Sequence, residues 1–138
     1  MKVMRTVKQK VIQRIEERND GVFMRSDFFD LASYRQIGDV IAQLVHDGFL
    51  TRVSHGMYVR GKTSSLTGNT IPVMPLREIA FKALVRLGVD VCKSQNETGY
   101  NYGVSNQVPT GRVIGVNRPV HRKIGYGGKF IIFEVVKD

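Results

Sequence analysis

The chain has 138 residues, 42% of them apolar, and carries a net charge of +9 with a pI near 10.0. That length supports one domain or two very small ones with a modest core, and the apolar fraction argues against disorder. No apolar run reaches the roughly 20 residues that span a bilayer. The start "MKVMRTVKQK" lacks the apolar stretch of a signal peptide, and the single Cys92 forms no internal disulfide, so a reducing, cytoplasmic location is expected.

Thr6–Arg18 has Val7, Val11, Ile12 and Ile15 at helical spacing, with Thr6 as N-cap and "NDG" at Asn19–Gly21 as the stop. Ser26 before "DFFDLA" predicts a second, short helix with Asp27 at the positive end of its dipole. Phe28 and Leu31 face inward, with Phe29 a further candidate. Ser33 caps a third helix, "YRQIGDVIAQLVHDG", whose buried stripe is Ile37, Ile41, Leu44 and Val45 and which Gly48 ends. Phe49–Val53 and Met57–Arg60 then read as two strands joined at Ser54–Gly56. Helix, short helix, turn, helix and a two-stranded hairpin is the order of a winged helix-turn-helix.

Charge says what such a module would meet. Residues 1–60 hold 10 Lys and Arg against 7 Asp and Glu, and residues 61–138 hold 11 against 5, so neither half alone carries the excess. An excess of this size favours a polyanion, nucleic acid first. Duplex DNA is the expected partner, with no membrane role. On the third helix, Arg35, Gln36, Asp39 and Gln43 share one solvent face, where Arg suits guanine and Gln suits adenine. Ser33 and Tyr34 are placed for phosphate. Arg52, Ser54, His55 and Arg60 on the wing would meet backbone or minor groove, positioning rather than specifying.

"GKTSSLTGNT" reads as a linker, giving a DNA-binding domain over 1–60, a linker over 61–70 and a small α+β domain over 71–138. In that last part Leu76–Leu87 is an amphipathic helix with Gly88 as its C-cap. "VDVCKS" and Arg112–Val116 read as strands, and Arg122–Val136 as a hairpin turning at Gly127–Gly128, so that a small antiparallel sheet is expected. Lys82, Arg86, Arg112, Arg118, Arg122 and Lys123 form a candidate basic surface. No nucleophile–base arrangement, P-loop or metal-ligand spacing is present, which predicts no enzyme, no metal and no cofactor.

Two stretches carry a resemblance. "VIAQLVHDGFLTRVSHGMYVR", ending in Gly56-Met57-Tyr58, resembles the helix and wing of the AbiEi-type abortive-infection antitoxins. Ser105-Asn106-Gln107-Val108-Pro109 followed by Arg122-Lys123-Ile124-Gly125 is similar to two separated motifs of the same family, in the same order. The chain departs from that pattern in one place, having Gly99–Val104, "GYNYGV", where the family carries Ala-Ala-x-x-Leu-Gly. The resemblance implies a transcriptional autorepressor that binds repeats in its own promoter and acts as the antitoxin of a type IV toxin–antitoxin pair. It implies a nucleotidyltransferase-like toxin as functional partner, with no tight complex required. No heptad seam is present, so a monomer, or a pair assembled on DNA, is expected. The alternatives are a stand-alone regulator without a toxin and a basic RNA-binding protein.

Overall fold

The computed structural model describes residues 6–18, 20–92 and 112–136, in two units, Met1–Met74 and Pro75–Asp138, each α+β. In the first unit, helix α1 (Val7–Glu17) begins with a reciprocal cap. The Thr6 hydroxyl accepts the Gln9 N–H at 3.2 Å, and the Gln9 side chain accepts the Thr6 N–H at 2.9 Å. Two donors that the helix cannot pair internally are thereby satisfied. Strand β1 (Val22–Met24) follows.

The second helix expected from Ser26 is instead a single 3-10 turn, Arg25–Phe28. Asp27 rather than Ser26 closes it, its carboxylate accepting the Met24 N–H at 2.9 Å. The cause is length. Sheet pairing takes Val22–Met24 and Ser33 already caps the next helix, so too few residues remain to offset helix nucleation. Helix α2 (Tyr34–His46) starts with the Ser33 hydroxyl accepting the Gln36 N–H at 3.2 Å. It ends at left-handed Gly48 (φ 82°), where the Gly48 and Phe49 N–H groups donate to Val45 and Leu44 C=O.

The first core joins Val11 and Ile15 of α1, Phe23, Phe28 and Leu50 to Ile37, Val40, Ile41 and Leu44 of α2. Val45, expected in the buried stripe, is only partly buried, and Val40 takes its place nearer the centre of the stripe. β2 (Leu50–Ser54) and β3 (Met57–Thr63) form an antiparallel hairpin, and β1 pairs antiparallel with β3 on its other edge.

The stretch expected as a linker is sheet at both its ends. Gly61–Thr63 continues β3 and pairs antiparallel with β4 (Thr70–Pro72). Gly61 shows why that stretch is ordered. A Cβ there would stand 2.7 Å from Thr51 Oγ1, 2.8 Å from the Gly48 carbonyl oxygen and 2.9 Å from Thr70 Cγ2. Only a glycine lets three segments approach this closely. Composition marks a glycine- and hydroxyl-rich stretch as flexible, but it cannot tell a linker from a tightly packed crossing.

In the second unit, α3 (Leu76–Leu87) buries Ile79, Ala80, Ala83 and Leu84 and ends at left-handed Gly88. β5 (Val91–Cys92) pairs antiparallel with β6 (Val113–Val116). β7 (Gly125–Tyr126) and β8 (Lys129–Phe130) make the expected hairpin about Gly127–Gly128. The expectation of a wholly antiparallel sheet is corrected at one pairing, since β9 (Ile132–Val135) runs parallel to β6. A parallel pair needs a crossover of about a dozen residues or more, and the segment holding β7 and β8 supplies it. β6 sits between β5 and β9 with all four residues buried, which explains its continuous apolar run. No helix among the described residues is long and apolar enough to cross a membrane.

Candidate nucleic-acid interface

The exposed side of α2 presents a polar face. Ser33, Tyr34, Arg35, Gln36, Asp39 and Gln43 are all exposed. At 100° per residue, Asp39, Gln43 and Gln36 stand about 40°, 80° and 100° from Arg35, so the four share one arc opposite the buried stripe. Asp39 makes no ion pair with Arg35 among the described residues, so it does not hold that guanidinium. Ser33 uses its oxygen as acceptor in the cap and keeps its O–H for another acceptor. Gln43 lies further along the helix. It lines a shallow groove of about 400 Å³ with Ala42, His46, Asp47 and, from α1, Lys8, which pairs with Asp47 at 3.2 Å.

The β2–β3 hairpin sorts its expected contacts into two kinds. Arg52 and His55 are exposed at its tip, with Arg52 donating to the Ser54 carbonyl (3.4 Å) and to His55 Nδ1 (3.2 Å). Arginine only donates, so Nδ1 is the acceptor in that contact. Ser54 is different, being buried at 6% exposure. The register between β2 and β3 shifts between Arg52 and Ser54, so Val53 and Ser54 are buried side by side instead of alternating. A bulge of this kind is not visible in the alternation of the sequence. Arg60 is half-buried and committed internally. Its guanidinium lies 3.6 Å from the Phe49 ring centroid and donates to the Phe49 and Gly61 carbonyls at 3.1 and 3.2 Å.

The candidate basic residues of the second unit do not share one role. Lys82 pairs with Glu78 at 3.5 Å one turn back. Arg118 donates to the Leu87 and Gly88 carbonyls at 3.0 and 3.1 Å, satisfying the C-terminal end of α3 where a cation is favoured. Arg112 and Arg122 are half-buried. Arg86 and Lys123 are exposed, Lys123 standing over the Phe130 ring at 5.5 Å. The Ser105–Pro109 motif and the "GYNYGV" segment lie outside the described residues.

Comparison with known families places the chain. A family model matches residues 9–137. The chain belongs to that family, a family of unknown function (DUF6088). No curated protein and no solved structure matches it significantly. The match runs through both units of this DUF6088 chain.

One charged group beside α2 escaped the sequence reading. Arg25, on the 3-10 turn, lays its guanidinium 4.6 Å from the Tyr34 ring centroid. A Cβ on Gly38 would stand 3.1 Å from its central carbon. Tyr34 is 64% exposed, and Phe29, a candidate for the inward face, is 46% exposed with its ring centroid 5.7 Å from that of Tyr34. The available signal was the isolated glycine inside an otherwise helical pattern, which costs about 1 kcal/mol against alanine and calls for a packing reason. The neighbouring Arg14 differs, holding Asp30 through two bonds of 2.6 and 2.9 Å. Those bonds keep the Asp30 carboxyl below its usual range. Among the described residues no group of three or more His, Cys, Asp or Glu is arranged to hold a metal.

Proposed function

We propose that this DUF6088 chain is a winged helix-turn-helix regulator that binds duplex DNA, with α2 in the major groove and the β2–β3 hairpin as its wing. What supports the reading most is the exposed arc of Arg35, Gln36, Asp39 and Gln43 on a helix capped by Ser33 and followed directly by a hairpin with Arg52 at its tip. The basic charge of the chain supplies the sequence-independent part of the affinity. The AbiEi-like stretches of the sequence extend the proposal. The DNA is then the chain's own promoter, and the chain is the antitoxin opposing a nucleotidyltransferase-like toxin.

Fluorescence anisotropy tests the first half of this. The upstream duplex, a scrambled duplex and a folded RNA are compared at two salt concentrations. Tight binding to the upstream duplex alone, surviving the higher salt, is the expected result. Equal, salt-labile binding to all three would remove the repressor reading. Co-expression with the neighbouring gene tests the second half, and rescue of growth from a toxic neighbour is expected.

The two wing arginines separate by measurement. Arg52→Ala is expected to leave the melting midpoint nearly unchanged and to lower the salt dependence of DNA binding by about one phosphate contact. Arg60→Ala removes a stacked cation and two hydrogen bonds to backbone carbonyls. It is expected to lower stability by about 1–2 kcal/mol with no change in that salt dependence. The opposite pattern would place Arg60, not Arg52, at the DNA.

A further inference from the structure

We infer that Arg25 is a phosphate-binding cation of the duplex interface, seated on the flank of α2 by Tyr34 and Gly38. The inference rests on the reading of α2 as the element that meets DNA. It begins with a contrast among guanidinium groups. Arg14, Arg60, Arg77 and Arg118 each donate to a protein acceptor. Arg25 is half-buried and stacked on Tyr34, yet it has no hydrogen-bond or ion-pair partner among the described residues. A guanidinium carries five N–H donors in one plane. Stacking uses its face and leaves those donors for an acceptor from outside the chain.

Position decides which acceptor. Gly38, over which the guanidinium lies, is about 60° from Arg35 around α2, on the side away from Gln36. On a helix set into the major groove the centre of the exposed arc meets base edges, and its flanks meet the sugar–phosphate walls. Phosphate oxygens accept the planar fork in pairs. The carboxylates of the same segment are already engaged, Asp27 with the Met24 N–H and Asp30 with Arg14. Gly38 and Tyr34 act as positioning residues, the one leaving room for the guanidinium and the other holding it flat.

The test uses the full chain in a salt series against the upstream and scrambled duplexes, with melting recorded for each variant. Arg25→Ala is expected to weaken binding to both duplexes by the same factor, about three- to tenfold at moderate salt, and to lower the salt slope by about one. Arg25→Lys, which keeps the charge and loses the fork, is expected to restore the slope and part of the affinity. Unchanged affinity and slope in Arg25→Ala, in a variant that melts well above the assay temperature, overturns the inference. So does a loss of preference between the duplexes at an unchanged slope, which would make Arg25 a base reader. If the wild-type chain itself shows no preference for its upstream duplex, the reading of α2 fails and this inference with it. If the wild type is selective and only Arg25→Ala is silent, the reading of α2 survives.

Discussion

The double variant Arg35→Ala, Gln36→Ala is expected to bind the upstream and scrambled duplexes equally, while keeping a steep salt dependence. Both side chains are exposed on the first turn of α2, so neither contributes to the core. Alanine is the best helix former, and the backbone N–H of residue 36 still reaches the Ser33 hydroxyl. Folding should therefore be unaffected. A well-made bidentate contact discriminates by about 1–3 kcal/mol, so losing two removes about 2–6 kcal/mol of preference, roughly a 30- to 10⁴-fold change. The sequence-independent attraction survives because the cations at Arg52 and Arg25 remain. Anisotropy titrations on the two duplexes measure this directly. A variant that still prefers the upstream duplex would show that α2 is not the reading element.

Phe28→Ala is expected to cost about 3–5 kcal/mol. Phe28 is fully buried on the 3-10 turn, its ring centroid 6.1 Å from that of Phe23, within the cluster that joins α1, β1 and α2. The turn has too few backbone hydrogen bonds of its own to stay in place without that ring. Small domains are stable by only about 5–15 kcal/mol, and a unit of this size stands toward the low end. The first unit should then melt near or below ambient temperature, and DNA binding should fail through unfolding rather than lost contact. Chemical denaturation followed by circular dichroism gives the number. A change below about 1 kcal/mol would mean that the turn is dispensable to the core.

The apolar spacing of α1, α2 and α3, their caps at Thr6 and Ser33 and their glycine stops at Gly48 and Gly88 are local properties, and local sequence determined them. The hairpins β2–β3 and β7–β8 are likewise short-range, each closed by glycine at positive φ. Tertiary packing decided the rest. It shortened the second helix to a 3-10 turn because β1 and Ser33 claimed its neighbours. It drew both ends of the presumed linker into sheet because Gly61 admits Thr51, Gly48 and Thr70 at once.

The candidate interface divides the same way. Which side chains of α2 face outward follows from helical period and the position of the apolar stripe, so the sequence by itself determined that arc. Within each unit, which candidate cations stay outward is set by carbonyls and rings that arrive from elsewhere in the chain. Arg60 and Arg118 are taken up by such groups, Ser54 is turned inward by a bulge, and Arg25 lies over the Tyr34 ring. A charged side chain reads alike in sequence whether solvent, a buried carbonyl or an aromatic face awaits it, and only the folded neighbours distinguish the three.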